Sequence, residues 1–214
     1  MIAYKCLNEG GTGQIEEKKS RFIATIKPVN SETEATAFIN EIKKKYWDSR
    51  HNCYAFVIGE KSELTRCSDD GEPAGCAGRP MLEVLLGLKI TNVCVVVTRY
   101  FGGTLLGTGG LIRAYQGAVK EGLSSCEIVC VTKGTTYLFE TDYNLAGKLQ
   151  FYFNKENVIV NNTDWGQTVT FTVILTDDNE AEVLKNVTEI TSASAKIIKG
   201  DDTEVRIPVD DMNI

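Results

Sequence analysis

The sequence is poor in the residues that build most metal and nucleophile sites. It holds one histidine, His51, and its seven cysteines contain no Cys-x-x-Cys pair. A zinc site needs about four clustered ligands, so none is expected, nor any other metal or cofactor. Cysteine is odd in number, and Cys53, Cys94, Cys126 and Cys130 lie in or beside strand-like runs, which points to reduced, buried thiols rather than a disulfide framework. No strongly apolar stretch is longer than Val93-Cys94-Val95-Val96-Val97, well short of the roughly 20 residues that cross a bilayer. Met1–Lys19 has no apolar run and no small-residue cleavage pattern, so a secretory signal is not expected. Low-complexity segments and repeats shorter than a domain are absent. The reading is a cytoplasmic protein without a membrane partner; nothing in the sequence points to an oligomeric state.

Charge is distributed unevenly. Met1–Val131 carries 16 Lys+Arg against 15 Asp+Glu, whereas Thr132–Ile214 carries 7 against 14. Six of the seven arginines (Arg21, Arg50, Arg66, Arg79, Arg99 and Arg113) fall in the first part. Arginine is the side chain suited to forked contact with phosphates and carboxylates, so the two parts face different partners.

Hydrophobic periodicity divides the chain near Thr132–Gly134, giving domains 1–132 and 133–214. In the first, Arg21–Lys27 alternates and stops at Pro28. Ser31–Trp47 is a helix capped by Ser31, with an apolar stripe through Phe38, Ile39 and Ile42. His51–Ile58 is apolar on both faces and reads as a central strand. Glu63–Cys67 is a short strand, Pro80 opens a helix, Val93–Thr98 is a strand, and a glycine-rich segment leads into a helix through Leu111, Ala114, Tyr115, Ala118 and Leu123. Glu127–Val131 is a further strand. In the second domain, strands Thr135–Thr141, Val158–Asn161, Gln167–Thr176 and Lys196–Val209 alternate with helices Tyr143–Lys155 and Asp178–Ile190. The order β-α-β-β-α-β is that of a ferredoxin-like sandwich, and the fold class is α+β.

Two loops carry the chemistry. Five glycines in the nine positions Gly102–Gly110 enter a helix, which suits either an anion site or tight strand–helix packing. Neither nucleotide fingerprint fits: Thr108 stands where a P-loop needs lysine, and Ile112 where a Rossmann motif needs glycine. Asp69-Asp70-Gly71-Glu72 puts three carboxylates in four residues, able to hold magnesium, to orient basic groups, or simply to form a surface turn. A thiol–imidazole pair between His51 and Cys67 or Cys76 has no spacing to support it.

Lys19–Ala24, Arg50–Ala55, Ser68–Pro73, Ala77–Pro80, Val97–Gly103, Leu106-Gly107 and Gly109–Tyr115 resemble, in order and composition, the motifs of the YigZ/IMPACT family. The second domain is similar to the C-terminal domain of bacterial members by layout. Cys76 and Thr108 depart from the pattern, standing where threonine and alanine are usual. The resemblance implies that the first domain has the fold of the second domain of ribosomal protein S-five, shared with domain four of elongation factor G, and that the second domain resembles that factor's domain five. It further implies a non-catalytic, translation-associated regulatory protein, since eukaryotic relatives regulate translational control under amino-acid starvation. Some relatives carry a proline-dipeptidase label, but a dinuclear metallopeptidase needs more histidine than this chain has. The expected surface for RNA, the ribosome or a translation-factor partner comprises Arg50, His51, Arg66, Asp69, Asp70, Glu72, Arg79, Arg99, Tyr100, Gly102, Gly103 and Arg113. Tyr100 and Phe101 are placed to stack on a base. The alternative is a small-ligand or metal-dependent enzyme using the Asp69–Glu72 and Gly102–Gly110 loops.

Overall fold

A computed structural model describes residues 2–209, and the side chains from residue 4 onward. Fifteen elements run β1 (Ile2–Glu9), β2 (Gly11–Glu17), β3 (Ser20–Pro28), α1 (Glu32–Lys45), β4 (His51–Ile58), β5 (Leu64–Ser68), α2 (Gly78–Gly87), β6 (Val93–Tyr100), α3 (Gly107–Ser124), β7 (Glu127–Thr141), α4 (Tyr143–Lys155), β8 (Ile159–Trp165), β9 (Val169–Thr176), α5 (Glu180–Ile190) and β10 (Lys196–Pro208). The mixed α+β reading holds. By its internal packing the chain separates into two compact units, one built on Tyr4–Cys130 and the other on Val131–Ile207.

The first unit centres on β6. Its sheet runs β2-β3-β6-β4-β5, every pairing antiparallel. A strand inside a sheet covered on both faces must be apolar at every position, and Val93 to Val97 meets that requirement. Val93, Val95 and Val97 pack with Met81, Leu85, Tyr115 and Val119 of α2 and α3. Cys94 and Val96 face the other way, onto Phe38, Ile39 and Ile42 of α1. Each of the five is fully buried. The Ser31 hydroxyl caps α1 by accepting from Glu34 N, and the Glu34 carboxylate accepts from Asn30 N at 2.8 Å. Lys43, Lys44 and Lys45 occupy the last turn, where the helix dipole favours cations.

In the second unit β7 pairs antiparallel with β9 and β9 with β8, and β10 also pairs with β7. Element order is β-α-β-β-α-β, as the periodicity indicates. Val169, Phe171, Val173 and Leu175 of β9 turn inward to Leu149 and Phe153 of α4 and Val183 and Val187 of α5.

Three differences from the sequence reading have physical causes. Strands β1 and β2 went unassigned because Ile2–Glu17 has few large apolar residues: β1 buries Cys6 and Leu7, and β2, paired to β3, turns Gly11, Gly13 and Ile15 toward α3 and Ser125, with glycines where a close approach leaves no apolar signal. Helix α2 starts at Gly78, two residues before Pro80, because a carboxylate outside the helix satisfies its first N–H groups, as described below. The strands Glu127–Val131 and Thr135–Thr141 are one, β7. Gly134 is not a break: it sits in register opposite Thr176, where an added Cβ would lie 2.8 Å from Ile174 Cγ2 and 2.9 Å from Val205 Cγ2. Glycine is there for close approach, not for a turn. Among the described residues no helix is long and apolar enough to cross a membrane.

None of the seven cysteines is in a disulfide, and only Cys67 is exposed. Burial pushes the Cys94 thiol up to about 12 and Cys126 to about 11, so neither forms the nucleophilic thiolate near neutral pH. Brief alkylation of the native protein at pH 8 should therefore label Cys67 ahead of the others, and alkylation after unreduced denaturation should label seven. Mass spectrometry showing fewer than seven in the denatured sample would reveal a disulfide and contradict this arrangement.

Candidate functional site

Strand register assembles the site. His51 opens β4 opposite Arg99 of β6, and Arg99 in turn lies opposite Phe22 of β3. Over this end of the sheet runs the loop joining β5 to α2, whose tight path uses positive φ at Asp70 (43°) and Gly71 (88°).

Each carboxylate of the loop has a separate task. Asp69 Oδ2 accepts from Gly75 N at 2.8 Å, and Oδ1 accepts from Ala77 N at 3.0 Å and Gly78 N at 2.9 Å. The helix preceding residue, Ala77, offers no side-chain cap, so Asp69 caps α2 from eight residues away. Partial burial alone would raise the Asp69 carboxyl, but the three N–H donors outweigh it and hold the group below the usual carboxylate range. Asp70 Oδ1 meets Lys43 Nζ of α1 at 2.6 Å, Oδ2 accepts from Asn52 N at 2.8 Å, and its carbonyl oxygen lies 2.9 Å from His51 Nδ1. Glu72 is buried. Its Oε1 accepts from Arg99 Nη1 at 2.7 Å and from the Tyr115 hydroxyl at 2.8 Å.

Tyr115, wholly buried on α3, has its hydroxyl held in the neutral form by burial first and then by Cys53 and Glu72. Cys53 donates toward the Asp69 carbonyl, and burial pushes its thiol up to about 12. Neither group serves as a nucleophile near neutral pH. The Arg99 guanidinium lies 5.4 Å from the Phe22 ring centroid and 5.5 Å from that of Phe101, and its Nε has no hydrogen-bond partner.

Above this buried network lies a pocket of about 180 Å³ lined by Arg50, His51, Arg99, Phe101 and Leu105. Arg50 is exposed and has no ion pair among the described residues; Phe101 is 48% and Leu105 83% exposed. The other expected residues lie elsewhere. Arg66 bonds the Thr65 carbonyl and lies 3.9 Å from Glu32. Arg79 pairs with Glu83 one turn along α2. The Tyr100 hydroxyl donates to Asp48, and Arg21 covers its ring. Arg113 is exposed on α3, with its guanidinium turned back toward Gly109. Gly102 has a packing reason: a Cβ there would fall 2.0 Å from the Lys19 carbonyl carbon. Gly103, at φ 87°, has open space around it.

Sequence reasoning missed Lys43, Asn52, Cys53, Tyr115 and Leu105. Tyr115 was readable as core from the α3 stripe, and a buried tyrosine hydroxyl demands a partner, so a nearby acid could have been sought for it. Nothing in the chain order brings Lys43 to Asp70.

Removing one member of a buried charged pair strands the other. Glu72→Ala should destabilise the first unit by about 3–5 kcal/mol in urea unfolding. Asp69→Asn, with fewer acceptor sites for three donors, should lose about 1–3 kcal/mol. Because folding lowers the Asp69 carboxyl below its unfolded value, its contribution is complete above the ordinary carboxylate range. It is lost as pH falls through the depressed folded-state value, and wild type and Asp69→Asn should converge there. A constant gap between them across acid pH would remove this role.

Two family models match the chain: the Impact N-terminal domain over residues 18–123, and a domain of unknown function over residues 139–194. The IMPACT family member YvyE of Bacillus subtilis is 38% identical over 199 residues, covering 93% of this chain and 92% of the relative. The IMPACT family member YigZ of Escherichia coli is 34% identical over 185 residues, covering 86% and 91%. A solved structure described only as a hypothetical protein superposes with a TM-score of 0.59 at 32% identity, covering 92% of this chain and 97% of the other. With an ordered match to the Impact domain and near full-length identity to these bacterial proteins, the chain belongs to the IMPACT family.

Proposed function

We propose that this protein is a non-catalytic, cytoplasmic, translation-associated regulator whose N-terminal domain, residues 1–132, holds RNA in the pocket of Arg50, His51, Arg99, Phe101 and Leu105. The ribosome is the setting in which that RNA is met, and residues 133–214 form a domain for protein contact or placement. Family membership supports the translational role. The ribosomal protein S-five and elongation factor G likenesses belong to the same proposal, supported by element order.

The carrying observation is the surface of the pocket. An unpaired guanidinium, Arg50, stands beside a half-exposed aromatic ring, Phe101, over a floor formed by His51 and Arg99. Cation plus stacking platform is what single-stranded nucleic acid uses: phosphate to arginine, base to ring. Against the enzyme alternative stands the engagement of the loop carboxylates. Asp69 is filled by three backbone N–H groups, Asp70 by Lys43 and Asn52, and Glu72 by Arg99 and Tyr115. Carboxylates so occupied cap and tie the fold; they are poorly placed to ligate a metal or move a proton.

The test is fluorescence anisotropy with labelled single-stranded RNA over a salt series, with ribosome co-sedimentation alongside. Arg50→Ala should weaken binding by about 1–2 kcal/mol and lower the salt slope by about one unit. Phe101→Ala should cost about 1–3 kcal/mol and leave the slope unchanged. Lys185→Ala, on exposed α5, is the control and should do neither. No binding to RNA or ribosomes at low salt would end the RNA reading in favour of a protein partner.

A further inference from the structure

The second unit carries a groove of its own. Gly147, Lys148, Phe151, Tyr152 and Lys155 of α4, with Ile190 at the end of α5, line an open depression of about 600 Å³. The α4 residues fall at i, i+1, i+4, i+5 and i+8, one continuous helix face. The opposite face of α4, Ala146, Leu149 and Phe153, is buried in the core; of the groove residues, Tyr152 and Ile190 pack against that core from its edge, which leaves Gly147, Lys148, Phe151 and Lys155 surplus to folding.

Two features of this face are unfavourable for a helix that only folds. Phe151 is 70% exposed, although two other positions of α4 already bury the large side chains Leu149 and Phe153 in the core. Gly147 sits inside the helix, where glycine is about 1 kcal/mol worse than alanine. No packing demands it: a Cβ there would meet nothing within 4 Å. A glycine with empty space over it, one turn before an exposed phenyl ring, is a notch beside a platform.

The charge around the notch is opposite to that of its domain. Lys148 and Lys155 flank the apolar strip in a half of the chain whose acids outnumber its bases two to one. Lys155 pairs with Glu156 at 3.4 Å, both largely exposed, and such surface pairs contribute little and exchange readily. Glu189, next to Ile190, is paired with Lys185 instead.

We infer that this groove docks an acidic amphipathic helix of a partner protein, an apolar side chain of that helix entering over Gly147 against Phe151 while its flanking carboxylates meet Lys148 and Lys155. Complementarity of charge selects this occupant. The apolar strip asks for aliphatic side chains at i and i+4 between the two lysines, which a partner helix supplies and a nucleic acid does not. The inference stands independently of the RNA pocket.

The experiment titrates the full-length, ¹⁵N-labelled protein with a synthetic 16-residue helical peptide bearing leucines at i, i+4 and flanking glutamates. Two controls accompany it, one with lysine for glutamate and one with alanine for leucine. Shifts should map to residues 147–155 and 190, and both controls should bind at least tenfold more weakly. Gly147→Leu is the decisive variant. Filling the notch should raise the thermal midpoint, because leucine suits a helix better and nothing obstructs it, while weakening the acidic peptide at least tenfold. Lys148→Glu with Lys155→Glu should likewise weaken the acidic peptide at least tenfold, with no rise in the thermal midpoint. Equal binding of the acidic and basic peptides, undiminished binding to Gly147→Leu, or no binding of the acidic peptide would overturn the inference. So would shifts at these residues produced by anionic phosphatidylglycerol vesicles or by self-association on concentration, in the absence of a response to peptide.

Discussion

The buried carboxylate of Glu72 is the point on which the first domain's functional end depends. It accepts from Arg99 on the central strand and from Tyr115 on α3, so one side chain from a loop joins sheet and helix inside the protein. A buried ion pair is weak evidence of net stability, because desolvating both charges offsets much of their attraction. What it supplies is position. With Glu72 in place, the loop from Asp69 to Ala77 has one path, and Asp69 is aimed at the N-terminus of α2. The Arg99 guanidinium is likewise held between the rings of Phe22 and Phe101. The pocket floor is therefore fixed by contacts within the protein, and in the proposed RNA complex that would lower the ordering cost of binding.

That arrangement divides the arginines into two kinds that composition alone cannot separate. Arg99 is 7% exposed with its charge matched by Glu72, whereas Arg50, two positions before a buried asparagine, is exposed and unpaired. Both line one pocket. A ligand phosphate would meet Arg50 as a free cation and Arg99 as a positioned but neutralised neighbour, so the long-range attraction comes from Arg50 while Arg99 shapes the wall.

Much of this was legible in the sequence where burial imposes a period. His51–Ile58, apolar on both faces, reads as a central strand and lies inside the sheet between β6 and β5, and β9 showed its alternation openly. The capping of α1 by Ser31 follows from local spacing. What failed was whatever depends on a partner far along the chain. Asp69-Asp70-Gly71-Glu72 reads as a metal loop or a turn until the distant Lys43, Asn52, Arg99 and Tyr115 are seen to occupy it. Strands β1 and β2 bring few large apolar residues inward, Cys6 and Leu7 in one and Ile15 after Gly11 and Gly13 in the other, and gave no periodic signal. Arg66, Arg79 and Arg113 looked equivalent to Arg50 because nothing in the sequence says which ends of which elements converge.

Glycine shows the same limit most sharply. Gly102 exists because the Lys19 backbone passes where its Cβ would be, and Gly134 because Ile174 and Val205 crowd a strand interior. In the sequence the first resembled part of an anion loop, and the second ended the boundary region read near Thr132–Gly134, which lies beside the division of the two units at Val131 but inside a continuous strand. Gly147 has neither reason: no neighbour crowds it and it sits inside a helix that it weakens. A residue that harms local structure and is not required by packing has to be accounted for outside the fold. The adjacent Phe151 points the same way, since an exposed phenyl ring beside an empty position adds apolar surface to water instead of removing it. Two unfavourable choices one turn apart, bordered by lysines in an acidic domain, are what the proposed acidic helix would put to use, its apolar side chain filling the space over Gly147 and covering Phe151.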